Sequence, residues 1–165
     1  MSKAFTSEET EDEAPRGRAP PRAGESRPIT PEGKAALVSE LQTLQSERAT
    51  LERDTRLSGL EKTARKEELL RKEELLEATL ATAHEVALPA ELSRVAFGCL
   101  VEVKDERGKK KRYRLVGPDE TDAKSGRISA ASPLGQALMG QAIGDEIELE
   151  RPRGAELLTV VAIRR

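Results

Sequence analysis

The apolar positions of this chain fall into two regimes. Leu37, Leu41, Leu44 and Leu51 follow one another by four, three and seven residues, which draws a single seam along a helix. A second stripe of Leu69, Leu76, Leu80 and Ala83 follows, and Glu67, Glu68, Arg71, Lys72, Glu73, Glu74 and Glu77 fill the solvated face beside it. The spacing predicts one helix ending near Leu57 and a second over 60–84. Each has about 25 residues, hence ~37 Å at 1.5 Å per residue. Thr30 is placed to cap the first helix, with Pro31 at the first helical position, where no amide hydrogen is needed. Leu57-Ser58-Gly59-Leu60 is the only turn signal between them, so the economical arrangement is an antiparallel coiled-coil hairpin with its tip near Ser58 and Gly59. A seam does not reveal whether its partner lies in the same chain, and a coiled coil that joins two chains is the alternative.

Beyond Pro89 the period changes from helical to two. Strands are predicted over 98–104, 112–117, 126–130, 145–150 and 155–164. Cys99, Val101 and Val103 alternate with Leu100, Glu102 and Lys104, as a half-buried strand requires. Asp105-Glu106-Arg107-Gly108 reads as a hairpin loop, while Gly144-Asp145 and Pro152-Arg153-Gly154 bracket the alternating run Glu146-Ile147-Glu148-Leu149-Glu150. One short helix interrupts the strands. Ser132 can cap it, Pro133 suits its first position, Leu134, Ala137 and Leu138 share one face, and Gly140 offers a left-handed stop. The fold class is therefore α+β, and the predicted organisation is a tail over 1–28, a helical hairpin over 29–86, a linker around Pro89 over 87–93, and a mostly antiparallel β domain over 94–165.

Composition narrows the chemistry. Charged residues make up 35% of the 165 and aromatic residues 2%, which suits a long solvated helical element beside a small core. In the tail, Glu8, Glu9, Glu11, Asp12 and Glu13 precede Pro15, Pro20, Pro21 and Pro28 interleaved with Arg16, Arg18, Arg22 and Arg27; such a segment buries too little apolar area to offset its ordering entropy and reads as disordered. The net charge of −2 gives no general attraction to nucleic acid, and Cys99, the only cysteine, excludes an internal disulfide. No apolar run approaches the roughly 20 residues that span a bilayer, so a cytoplasmic protein without a membrane partner is expected. His84, the sole histidine, falls at the predicted end of the second helix, with no partner for metal or nucleophilic work. Lys109, Lys110, Lys111, Arg112 and Arg114 form a basic run, but only Tyr113 interleaves, which favours a solvated hairpin over a base-stacking surface. The sequence thus offers neither a catalytic constellation nor a metal-binding group.

Several short blocks also carry a resemblance. Val95-Ala96-Phe97-Gly98, Leu115-Val116-Gly117-Pro118-Asp119-Glu120, Ile128-Ser129, Ser132-Pro133-Leu134-Gly135-Gln136-Ala137-Leu138-Met139-Gly140 and Gly144-Asp145 occur in the order found in the carboxy-terminal domain of GreA/GreB transcription elongation factors. Ile29-Thr30-Pro31-Glu32-Gly33, with Glu40-Leu41 and Leu44, resembles the start of the same factors. The resemblance implies an FKBP-like second domain and an intramolecular hairpin. It also implies a monomer that binds core RNA polymerase, within the elongation complex with its DNA and RNA, at the mouth of the secondary channel. Asp119, Glu120, Ser132 and Pro133 then fall where the family contacts polymerase. Prolyl isomerase activity is excluded, because the domain supplies only Phe97 and Tyr113 to wall a proline pocket.

In the family, an Asp and a Glu at the hairpin tip help to hold a second magnesium ion beside the polymerase's own, and the polymerase then cuts backtracked RNA by two-metal hydrolysis. Here the resemblance breaks down. The hairpin is shorter by roughly a dozen residues, about three helical turns shared over two helices. With Leu57-Ser58 set on the family's Leu-Ser, Arg56 stands in place of the Asp and Gly59 in place of the Glu. A guanidinium repels magnesium. Asp54 and Glu61 are the remaining acids beside the tip. The expectation is a regulator of elongation that is not itself an enzyme, has no cofactor of its own and stimulates cleavage poorly or not at all, any magnesium being shared with polymerase. The rival reading is an oligomeric coiled-coil adaptor with a small ligand- or protein-binding domain.

Overall fold

A computed structural model describes residues 18–152 and 154–165. Its elements follow in the order β1 (Arg27–Ile29), α1 (Pro31–Leu51), α2 (Gly59–Thr82), β2 (Ala83–Glu85), β3 (Leu100–Asp105), β4 (Lys110–Val116), β5 (Arg127–Ser129), α3 (Pro133–Leu138), β6 (Glu146–Arg151) and β7 (Gly154–Arg164). Two 3₁₀ turns, Pro118–Glu120 and Ala123–Ser125, lie between β4 and β5.

The first helix begins as its sequence dictates. The Thr30 hydroxyl accepts from the Gly33 amide at 3.0 Å, and Pro31 occupies the first turn. At the other end the helix stops at Leu51, short of the expected Leu57, because residues 52–56 supply no apolar side chain and Asp54 folds them into a turn. The second helix opens on a reciprocal cap between Ser58 and Glu61. The helices run antiparallel, since Arg48 meets Glu73 at 2.8 Å while Glu52 meets Lys66 at 2.7 Å. Between them Ile29, Leu37 and Leu76 are buried, with Leu41, Leu44, Leu80 and Ala83 packed alongside. The apolar seam therefore closes within one chain.

Two expectations about the chain's edges are corrected. Helix α2 ends at Thr82, so His84 lies in β2 rather than at a helix end, and its ring Nδ1 pairs with the Ser26 hydroxyl at 2.8 Å. The tail does not extend to residue 28. Arg27–Ile29 pairs in parallel with Ala83–Glu85, and Arg27 is buried. Arg18, Pro20, Pro21 and Arg22 precede it within the described residues, whereas the acidic block of residues 8–13, Pro15 and Arg16 lie outside them.

The second half is a five-stranded sheet in the order β5-β4-β3-β7-β6, antiparallel except for the β4–β5 pair. Alternation decides its faces. Cys99, Val101 and Val103 are fully buried, and Ile147 and Leu149 are buried while Glu146, Glu148 and Glu150 face solvent. They join Leu115, Leu134, Leu138, Leu158 and Val160 in one core under the short helix α3. Gly140 ends that helix in the left-handed region (φ 80°), and its amide then bonds to Val95 O at 2.9 Å. Residues 87–93 carry no helix or strand.

Candidate functional site

Three places carry the residues singled out by sequence: the loop before α3, the joint between hairpin and sheet, and the hairpin tip.

The loop before α3 is a rigid platform. The Ser132 hydroxyl donates to Ser129 O at 2.7 Å and accepts from the Gly135 amide at 3.1 Å, so one side chain fixes both the loop and the helix start. A Cβ at position 135 would lie 2.2 Å from Ser129 O, which makes glycine obligatory for this close approach. Pro133 is exposed at the first helical position. Further along, Met139 and Ile143 leave 39% and 61% of their surfaces exposed, an apolar rim that the sequence reading did not single out.

At the joint, Asp119 and Glu120 do not present their carboxylates to solvent. Asp119 accepts from Arg27 Nη1 at 2.9 Å; burial lifts its carboxyl above the ordinary aspartate range against the opposing pull of Arg27. The Arg27 guanidinium also reaches Ala19 O, Pro20 O and Glu25, folding residues 19–25 back over the joint. Glu120 is buried and accepts from the Thr30 amide at 2.9 Å, the Gly117 amide at 3.1 Å, the Thr30 hydroxyl and Arg127 at 3.4 Å. It lies so close to the first turn of α1 that a Cβ at Gly33 would sit 1.8 Å from its Oε1. Gly117 is equally confined, 1.9 Å being left between its absent Cβ and Pro28 O. The Thr30–Gly33 block and the Gly117–Glu120 block, read separately in the sequence, are thus the two halves of one contact. Ser132 bonds instead within its own loop, to Ser129 O and the Gly135 amide.

At the tip both acids are engaged within the chain. Asp54 Oδ1 accepts from the Arg56 amide at 2.9 Å and from Arg56 Nε at 3.0 Å, and Oδ2 accepts from Nη2 at 2.8 Å. The side-chain bonds from Arg56, with its backbone amide second, pull the Asp54 carboxyl down to about 2. Glu61 Oε2 accepts from the Ser58 amide at 2.8 Å and the Ser58 hydroxyl at 2.7 Å, which lowers its pKa as well. Leu57 is half-buried, and Arg56, Ser58 and Gly59 are exposed. Because Asp54 titrates lower folded than unfolded, its ionised form supports the turn above the ordinary 3.8, and that support is lost as pH falls toward 2. Arg56→Ala should bring the Asp54 midpoint back up toward 3.8, read by NMR titration of its side-chain carboxyl. A midpoint unmoved from the wild type would mean that the backbone amide alone holds the carboxylate.

The remaining candidates are structural. Lys110 and Arg112 both pair with Glu102, at 3.0 and 3.1 Å, and Lys111 with Glu156 at 3.7 Å, so much of the basic run is neutralised on the sheet surface. Among the described residues no group of three His, Cys, Asp or Glu side chains is placed to hold a metal ion. No helix there is long and apolar enough to cross a membrane.

Comparison with known proteins covers both halves. The family model described as "Transcription elongation factor, GreA/GreB, C-term" matches residues 89–165. The chain is 34% identical over 154 residues to transcription elongation factor GreA of Rhodospirillum rubrum, an overlap covering 85% of this chain and 98% of that one. It is 36% identical over 157 residues to transcription elongation factor GreB of Pseudomonas aeruginosa, covering 87% and 94%. Among solved structures, GreA factor homolog 1 (Gfh1) of Thermus thermophilus is 28% identical, with 86% of this chain and 100% of that chain covered and a TM-score of 0.40.

Proposed function

The chain belongs to the GreA/GreB family of transcription elongation factors, and from that membership we propose that it binds core RNA polymerase at the secondary channel and regulates elongation. The observation that carries the reading is the continuous likeness across hairpin and sheet, 85% of the chain and 98% of the relative. In this reading residues 31–82 act as a monomeric coiled-coil hairpin reaching into the channel. The sheet acts as an FKBP-like docking domain that meets polymerase through the platform around Ser132 and Pro133. The protein works in the cytoplasm on the elongation complex with its DNA and RNA. It is a factor and not an enzyme: the chemistry at issue belongs to polymerase, which it modulates by occupancy. The adaptor reading is not favoured, because Leu37 and Leu76 already bury one another's seam within the chain.

The test is equilibrium binding to core polymerase with an ordinary Gre factor as competitor. Mutual displacement is expected. Ser132→Glu combined with Pro133→Ala should weaken the complex by roughly tenfold or more, the scale of about 1.4 kcal/mol at an interface centre. Its thermal melt should shift only by what one helix cap contributes, about 1 kcal/mol. Simultaneous binding of both factors would remove this chain from the channel, and unchanged affinity of the double variant would remove the platform from the interface.

A further inference from the structure

Residues 18–26 lie before Ile29-Thr30-Pro31-Glu32-Gly33, the block that resembles the start of the family, and yet they are built into the fold. With Arg27 they touch three separate elements. Arg18 Nη2 donates to Glu40 Oε2 on α1 at 3.3 Å, and only 21% of the arginine side chain is exposed. The Ser26 hydroxyl pairs with His84 Nδ1 in β2 at 2.8 Å. Arg27 gathers the segment against the sheet. Its Nη1 donates to Ala19 O at 3.1 Å and to Asp119 Oδ1 at 2.9 Å, while Nη2 donates to Pro20 O at 3.3 Å and to Glu25 Oε2 at 3.1 Å. The side chains of Arg27 and Asp119 are 9% and 5% exposed, so salt screens this pair little. The loop is also prepared locally. Pro20 and Pro21 have a fixed φ, which lowers the entropy lost on ordering. Gly24 (φ 75°) makes the turn in which the Glu25 amide bonds to Arg22 O at 3.0 Å and Glu25 Oε2 accepts from the Arg22 amide at 2.7 Å.

The placement of these contacts makes the segment a brace. Asp119 and Glu120 pin the sheet to Arg27 and Thr30, side by side at the foot of α1. Two adjacent pins form a pivot, about which a long helical hairpin can still tilt. Glu40 lies ten residues beyond Thr30, or about 15 Å along the helix at 1.5 Å per residue. A contact at that distance resists tilting with a longer lever than the pins have. We propose that residues 18–25 form a clasp, closed by Arg27, that fixes the angle between hairpin and sheet, and that Arg27 is thereby a positioning residue for polymerase binding. The second half of this inference rests on the reading that the hairpin and the Ser132-Pro133 platform engage polymerase together. The two then behave as linked binding sites, and a stiffer link raises the effective concentration of the second contact once the first has formed. The clasp adds no contact with polymerase; it removes the angles at which only one of the two sites can bind.

The test places spin labels through Ala64→Cys on α2 and Glu106→Cys in the turn between β3 and β4, both exposed positions; Cys99 is fully buried and stays unlabelled. Distance distributions from pulsed dipolar spectroscopy are compared for the full chain, a chain lacking residues 1–17, a chain lacking residues 1–25, and Arg27→Lys. Each protein is also titrated against core polymerase with a Gre factor as competitor. One narrow distribution is expected for the full chain and for the chain lacking 1–17. A broad one is expected for the chain lacking 1–25 and for Arg27→Lys. The lysine keeps the charge opposite Asp119 but has no fork to hold Ala19, Pro20 and Glu25 at once, so it opens the clasp even if the shortened chain misfolds. Both loosened proteins should bind polymerase about fivefold more weakly, with unchanged far-UV circular dichroism. Equally narrow distributions in all four would show that Glu120 holds the angle unaided and would overturn the clasp. Broadening with unchanged affinity would overturn the positioning role. So would an affinity loss already complete on removal of residues 1–17, which would assign the effect to the acidic block. A full chain that does not displace the Gre factor defeats the polymerase reading itself, while the distance distributions still decide whether the clasp exists.

Discussion

Glu120→Ala is expected to destabilise the protein by about 3–5 kcal/mol, the range found when one partner of a buried, hydrogen-bonded charge is removed. The carboxylate is buried and accepts from the amides of Thr30 and Gly117, from the Thr30 hydroxyl and from Arg127. Truncation would leave two backbone donors and a guanidinium facing a void, and a buried donor without a partner costs more than its hydrogen bond contributed. Glu120→Gln keeps one acceptor oxygen and should lose less. Glu40→Ala, which removes a surface pair with Arg18, should stay within about 0.5 kcal/mol. Urea unfolding of the three variants checks the order. Because Glu120 ties the first turn of α1 to the sheet, the alanine variant should also bind polymerase more weakly at temperatures where it remains folded. A Glu120→Ala protein as stable as the Glu40→Ala control would mean that the joint is held by Arg27 and Asp119 instead.

Where an element could be read from the sequence, a local rule governed it. The alternation of Cys99, Val101 and Val103 and of Ile147 and Leu149 placed two strands with their buried faces, and the Ser132-Pro133 pair placed a helix start. The leucine seam placed both helices, although it could not say that its partner lay in the same chain. Apart from the early stop of α1 at Leu51, a local turn around Asp54, the failures are non-local. Arg27 looks like one more arginine in a Pro-Arg tail, yet it is buried by pairing with a residue 92 positions away. Strand β1 is three residues long and exists only because β2 lies beside it, so neither has a period to detect. Asp119 and Glu120 drew attention as acids on a turn, and a surface role was the natural reading. Their actual partners, Thr30, Gly33 and Arg27, stand at the opposite end of the sequence. A signal was present in Gly33, since a glycine in the first turn of a helix is a poor helix former and has to be there for space. Without the sheet in view, nothing said which side chain needed that space.

Transcript cleavage should separate this protein from the factors it resembles. Stalled elongation complexes mixed with it are expected to cut their RNA no faster than polymerase alone, and cleavage driven by an ordinary Gre factor should fall as this chain is added. Magnesium requires near-octahedral oxygen ligation at about 2.0–2.1 Å and gives up its water reluctantly. At this tip both Asp54 oxygens are held by Arg56, and one Glu61 oxygen is held by the Ser58 amide and hydroxyl. Freeing Asp54 means breaking two charge-assisted bonds and leaves a guanidinium beside the incoming cation, which raises the energy of the bound ion. Reach works in the same direction, since α1 and α2 have 21 and 24 residues, or about 32 and 36 Å. Asp54→Ala and Glu61→Ala should therefore leave the cleavage rate at its intrinsic level while competition with the Gre factor persists. Arg56→Ala, which releases Asp54, should also remain inactive, because one carboxylate on a short hairpin does not rebuild a metal site. Stimulation by the wild-type chain that Asp54→Ala or Glu61→Ala abolishes would show that an acid leaves its intrachain bond on polymerase. The tip would then be a displaced version of the family's acidic site, and its arginines would surround the metal instead of replacing it.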